Sequence, residues 1–367
     1  MIEIEVDGVK RMTHKTYSNR VSPHPDDNSL TKDYVVDRYM TRGFMPDEPF
    51  VTQDTPIVAF GSCFASNISN YLHSRKYSVL TKQENRAYVT TMGDGMTHTY
   101  AVLQQFQWAW ENKFPTVDLW HGYDAKEFGY TEEARADTLK LFNAAEVFII
   151  TLGLSEIWYD EPTGEVFWRT PPKGKMDPER HKFRVATFEE TKRNLAEIRD
   201  LIKKYRPDAK LVFTVSPIPL AASFRTVPCI SANAASKAIV RAAVDEYYRE
   251  AKADDDNLYY FPSYDIVTAM FNHQFVADRR HVNTQVLAFN MKVFEHYFCS
   301  PGISYAEVLK AFRSAQKYDE HVGKHGQEST LDRLARMEQN RQARKAKRVE
   351  ERKAARLEET KTAIAAE

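Results

Sequence analysis

The chain has no apolar run near the about 18 residues that a membrane-crossing helix needs. Its first twenty residues are polar where a secretion signal would be apolar. Cysteine is scarce: Cys63, Cys229 and Cys299 are odd in number and far apart, which fits neither a disulfide framework nor a zinc module. Charge of one sign is not in excess, with 51 Lys and Arg against 51 Asp and Glu. That balance exerts no global pull toward nucleic acid or acidic lipid. No Walker or G-x-G-x-x-G signature occurs, and Gly93-Asp94-Gly95 is too short for a phosphate loop. His73, His98, His121, His181, His273, His281 and His296 show no H-E-x-x-H spacing, and no C-x-x-C occurs. These absences predict a cytoplasmic protein without metal or cofactor.

What is present is a core. The 367 residues are 43% hydrophobic and 12% aromatic, which excludes a wholly disordered chain. Residues 1–55 carry broken periodicity and Pro23, Pro25, Pro46 and Pro49, and read as an irregular arm that wraps a domain. Residues 56–315 read as an α/β domain. Four short apolar runs recur there, Ile57 to Phe60, Val147 to Thr151, Leu211 to Val215 and Leu258 to Phe261, each long enough for a strand buried on both faces. Helical stretches separate them. The clearest spans about Thr187 to Lys204, with Thr187 and Glu190 at capping-box spacing and Leu195, Ile198, Leu201 and Ile202 on one face. Such alternation predicts a parallel sheet with helices on both sides and a site beyond the carboxyl ends of its strands.

Residues 316–367 read as a charged helical tail. From Leu331 onward it holds 11 basic and 7 acidic residues, no Gly or Pro, and too few large apolar residues for a heptad seam. A solvated helix is the plain reading, and a tail that binds a protein partner or touches RNA is the other.

Two segments carry chemistry. Phe60-Gly61-Ser62-Cys63-Phe64-Ala65 follows the first apolar run, and a small-residue turn there presents a side chain and N–H groups at a helix N-terminus. Ser62 is either a helix cap or a nucleophile. Far downstream, Asp278-Arg279-Arg280-His281 places a carboxylate and an imidazole three residues apart. Asp278 can then orient His281 so that Nε2 accepts a hydroxyl proton. Cys63 is the alternative nucleophile, as a thiolate at a helix N-terminus. Asp177 to Arg184, after Trp168-Arg169-Thr170, reads either as a basic lid over an anionic or sugar substrate or as a surface insertion. Trp158 and Trp168, in a hairpin, read as packing rather than as a sugar platform.

Gly61-Ser62-Cys63-Phe64-Ala65 spells the string that names the GSCFA family, which in turn resembles the SGNH (GDSL-like) esterases. Similar blocks are Gly95 to Ala101 with Gln104-Gln105-Phe106, Thr151 to Trp158, Ser216 to Leu220, and Phe261 to Tyr264. The resemblance implies a three-layer α/β/α, flavodoxin-like domain and a Ser62–His281–Asp278 triad that cleaves or transfers acyl esters. It implies an oxyanion hole from the Ser62 N–H, an N–H of Gly93 or Gly95, and a donor in the Gly153-Leu154-Ser155-Glu156 block. There Ser155 stands where SGNH enzymes have Asn, and Glu156 orients a neighbour, orients a substrate hydroxyl or caps a helix. By analogy the substrate is a small-molecule or glycan acyl ester. The rival reading is a binding module that has lost the chemistry with the oxyanion Asn.

Overall fold

The computed structural model describes residues 2–6, 8–13, 22–123 and 126–327. The charged segment from Leu331 lies outside the described residues, and so does the partner-binding role expected of it.

Four parallel strands make the central sheet: β3 (Ile57–Gly61), β4 (Val147–Leu152), β7 (Lys210–Val215) and β8 (Leu258–Phe261), in the spatial order β3-β4-β7-β8. Their residues alternate between two cores. Val58, Phe60, Phe148, Ile150, Leu211, Phe213 and Tyr260 face one side, and Ile57, Ala59, Val147, Ile149, Val212 and Phe261 face the other. Burial on both faces explains why the four runs are apolar at nearly every position. Each large side chain so buried contributes roughly 1.5–3 kcal/mol.

The first core is closed by α3 (Thr99–Glu111), α4 (Glu132–Ala144), α5 (Phe188–Tyr205) and α6 (Cys229–Ala251), through Phe106, Phe142, Ile198 and Val240. The second is closed by α1 (Cys63–Ser74), α7 (Ser263–Ala269), α8 (Thr284–Phe298) and α9 (Tyr305–His325), through Ile68, Ile266, Phe289 and Phe312. The result is a three-layer α/β/α fold. Helix α5 begins at the expected capping box, in which Thr187 Oγ1 accepts from Glu190 N at 3.1 Å and Glu190 accepts from Thr187 N at 2.8 Å.

Differences from the expected outline lie at the ends. An antiparallel hairpin of β1 (Ile2–Val6) and β2 (Val9–Thr13) stands where irregular chain was expected. Ile2 to Val6 alternates apolar and charged residues, and Lys10 donates to Glu3 across the ribbon at 2.9 Å. Residues 29–51 wrap the second core, burying Val35, Val36, Met40 and Val51. Arg313 of α9 ties this segment down by donating to the carbonyls of Leu30, Thr31 and Lys32. Helix α9 runs unbroken through residue 315, where the tail was expected to begin, because Val308, Phe312, Ala315, Tyr318 and Val322 give it an apolar stripe.

Two further strands, β5 (Glu156–Asp160) and β6 (His181–Val185), form a small antiparallel sheet that leaves the end of β4. The basic segment expected to act as a lid has its second half, His181 to Arg184, in β6. Its cations are engaged: Arg180 grips Asp160 at 2.8 and 2.9 Å, and Arg184 grips Glu190 at 2.6 and 2.8 Å.

Candidate active site

The site is built on the turn that leaves β3. Gly61 adopts φ +133°, and a Cβ there would lie 2.1 Å from the Thr151 carbonyl oxygen, so only glycine fits. Its N–H donates to Gly93 O at 2.5 Å, which pins the loop before α3 against the turn. Ser62 then adopts extended backbone and caps α1, its Oγ accepting from Phe64 N at 3.2 Å. Although only 4% exposed, Ser62 lies on the wall of a cavity of about 670 Å³ at the carboxyl ends of β3, β4 and β7. That is the crevice position expected of an open parallel sheet.

His281 reaches the same cavity from the loop between α7 and α8. The loop is a tight turn: Val276 N donates to His281 O at 2.8 Å, and Arg279 sits at φ +58°. Asp278 organises it, Oδ1 accepting from the backbone N–H groups of Arg280 and His281 at 2.8 and 3.0 Å. Its Oδ2 takes a short hydrogen bond from His281 Nδ1. The imidazole bond first, then those two amides, hold the Asp278 carboxyl well below the usual carboxylate range. With Nδ1 donating to Asp278, Nε2 is the nitrogen left to accept a proton. Among the described residues no direct hydrogen bond joins Ser62 to His281; the cavity they share joins them.

The remaining expected residues are distributed unevenly. Gly95 lines the cavity, bridged to Ser62 in antiparallel fashion, but its N–H donates to Met92 O at 2.9 Å. Gly93 is not on the wall; its carbonyl serves Gly61. Gly153 lines the cavity with its N–H on Thr97 O at 2.7 Å. The Ser62 N–H is likewise taken, by Thr151 O at 2.9 Å. Ser155 departs furthest from expectation. It is 1% exposed, and its N–H and Oγ both meet Ser236 Oγ of α6, at 2.8 and 3.1 Å, so its hydroxyl is engaged away from the cavity. Glu156 does line the cavity, where Oε1 accepts from Ser223 Oγ at 2.8 Å. An oxyanion hole of Ser62, Gly93 or Gly95, and Ser155 is therefore not assembled.

Two features escaped the sequence. Lys237, 3% exposed, sends Nζ between the strand ends to donate to Gly153 O at 2.7 Å and Ser216 O at 2.6 Å. Burial pushes its amine down to about 7. A lysine in the small-residue stretch Ser231 to Ala238 gave no sign of this role. His98 caps α3, Nδ1 accepting from Ala101 N at 3.2 Å and Nε2 donating to Trp168 O at 3.1 Å. Burial holds it neutral, with its pKa lowered to about 4.

Cys63 also lines the cavity, and its thiol donates to Asp94 O at 3.7 Å. Burial and then the Asp94 carboxylate push that thiol up, the opposite of what a thiolate nucleophile needs. Trp158, assigned to packing, stands on the cavity wall with Phe183 and Phe224. Among the described residues no group of three or more His, Cys, Asp and Glu side chains is gathered to hold a metal ion. None of the described helices is long and apolar enough to cross a membrane.

The GSCFA family model matches residues 56–294, from the residue before β3 into α8 and well over half of the chain. The chain belongs to the GSCFA family. The matched span of this GSCFA protein contains all four central strands and every cavity residue, and leaves the hairpin, the wrapping segment and α9 outside. No curated protein shows significant similarity to it.

Proposed function

We propose that this GSCFA protein is a serine-dependent acyl ester hydrolase or O-acyltransferase. The observation that carries the reading is that Ser62, at a helix N-terminus, and His281, held by Asp278, open onto one cavity. Ser62 Oγ attacks the acyl carbonyl carbon while its proton passes to His281 Nε2. The ester C–O bond breaks, and His281 returns the proton to the departing alcohol. Water, or a sugar hydroxyl in a transferase, then gives its proton to His281 and attacks the acyl-enzyme, releasing an acid or a new ester and restoring Ser62. Asp278 stabilises the imidazolium between these steps.

Support for the developing oxyanion comes from the amino end of α1, whose Phe64 N–H already meets Ser62 Oγ. Acylated carbohydrate is the substrate class suggested by the family's likeness to SGNH enzymes. The test is a fluorophosphonate probe, which should label wild type at Ser62 but neither Ser62→Ala nor His281→Ala, followed by a panel of acylated sugars and p-nitrophenyl esters.

A second reading, a binding module without turnover, draws on the engagement of Ser155 with Ser236 and of the Ser62 and Gly95 N–H groups within the backbone. Folded wild type that resists the probe and hydrolyses no ester in the panel would decide for it.

A further inference from the structure

The cavity holds two arginines, Arg169 and Arg280, that the proposed acyl chemistry does not require as a pair. Both are half-buried. Arg169 lies over the Tyr123 ring, 4.1 Å from its centroid, and Arg280 donates to Pro219 O at 3.3 Å through Nε and Nη2. Among the described residues neither forms an ion pair with a carboxylate. Arg180, Arg184 and Arg199, by contrast, are each matched to one. Asp94 and Glu156 share the cavity wall, yet accept from Tyr123 and Ser223 hydroxyls rather than from the guanidinium groups.

Burial and the Asp94 carboxylate push the Cys63 thiol up, while Arg169 and Arg280 each pull weakly the other way, so the field of both reaches the turn that carries Ser62. Arg280 directly precedes His281, the group that protonates the leaving alcohol. Trp158, Phe183 and Phe224 pack on one another with ring centroids 4.9 to 5.7 Å apart and provide an apolar surface in the same cavity. Half-buried guanidinium groups without carboxylate partners, beside an aromatic surface and next to a nucleophile, match a ring bearing an anion.

We propose that the ester held here has an anionic alcohol portion, an O-acylated acidic sugar whose carboxylate or sulfate is bound by Arg169 and Arg280. The proposal rests on the acyl-ester reading above. The anion takes no part in the bond changes; it sets which alcohol sits at His281.

The test uses the full chain and three probes: acetylated methyl glucuronoside, acetylated methyl glucoside, and acetylated sulfated methyl glucoside. Wild type should prefer an anionic probe over the neutral one by about ten- to a hundredfold in kcat/KM. That ratio should fall toward one in an Arg169→Gln, Arg280→Gln double variant and shrink with added salt. A wild-type ratio near one, with Ser62 still labelled by fluorophosphonate, overturns the anion assignment and leaves the triad standing. Calorimetry of Ser62→Ala with the unacetylated methyl glucuronoside, sulfated methyl glucoside and methyl glucoside gives a readout without turnover. If wild type hydrolyses nothing, the triad reading fails alone provided an anionic glycoside binds more tightly than the neutral one and the double variant loses that preference. Equal binding of all three, or none, overturns the inference.

Discussion

The two ends of the central sheet treat buried cations in opposite ways. Near the amino ends of β7 and β8, Arg199 is 1% exposed and meets Asp255 through two bonds of 2.5 and 2.7 Å, with Ala209 O as a further acceptor. Charge and geometry are closed there, and the pair joins α5 to the loop before β8. At the carboxyl ends, Lys237 is equally buried but has only two carbonyls, and Arg169 and Arg280 face a cavity. A cation without a counter-ion is costly in isolation, a cost that Asp255 removes for Arg199. The difference separates residues that hold the fold from residues available to chemistry.

The sharpest break of this comparison is Ser62→Ala. Turnover of any ester that wild type hydrolyses should fall by about 10³-fold or more, while loss of the α1 cap costs only about 0.5–2 kcal/mol. Steady-state kinetics beside urea denaturation would show it, and an activity loss that merely tracked unfolding would erase the contrast. Asp255→Ala should do the reverse. Leaving Arg199 buried and unpaired should cost about 3–5 kcal/mol in urea unfolding, yet keep the folded protein open to fluorophosphonate labelling at Ser62.

Lys237 tests the middle ground. Its pKa is lowered from 10.5 unfolded to about 7 folded, so between those values the unfolded chain holds the proton and the folded one releases it. Stability from this group is full above 10.5, falls as pH drops toward 7, and is level below. Lys237→Met should flatten that slope and cost about 1–3 kcal/mol at neutral pH by orphaning the Gly153 and Ser216 carbonyls. Unfolding measured from pH 7 to 10 with no difference in slope would assign the slope to other groups.

A smaller effect of the same sign belongs to His98, whose pKa is lowered from 6.5 to about 4 by burial. Its contribution is complete above 6.5 and lost as pH falls toward 4, and His98→Asn should remove that portion of the acid sensitivity in thermal melts. The smallest expected change is Cys63→Ala. With its thiol pushed up rather than down, labelling at Ser62 should stay within about twofold of wild type; a loss of labelling would reinstate Cys63.

Most of the framework is local and so was readable. The four central strands needed only short, mainly apolar runs, and α5 needed only Thr187, Glu190 and a helical stripe. The hairpin around Asp7-Gly8 is harder to read, because Ile2 to Val6 alternates but Lys10 and Arg11 stand side by side in the partner strand. The Asp278–His281 bond was also legible, since three residues of separation on one turn leave little freedom.

The sequence by itself thus determined the parallel sheet, its helices, the turn at Gly61 and the local carboxylate–imidazole pair, each governed by neighbours within a few positions. Tertiary structure decided what those pieces face. The engagement of Ser155 with Ser236 spans 81 residues, and the clamp of Lys237 on Gly153 spans 84. Both follow from how α6 lies against the ends of β4 and β7. Polar partners at such distances are chosen by packing geometry, because a buried hydroxyl or amine must bond whichever group the fold brings within about 3 Å.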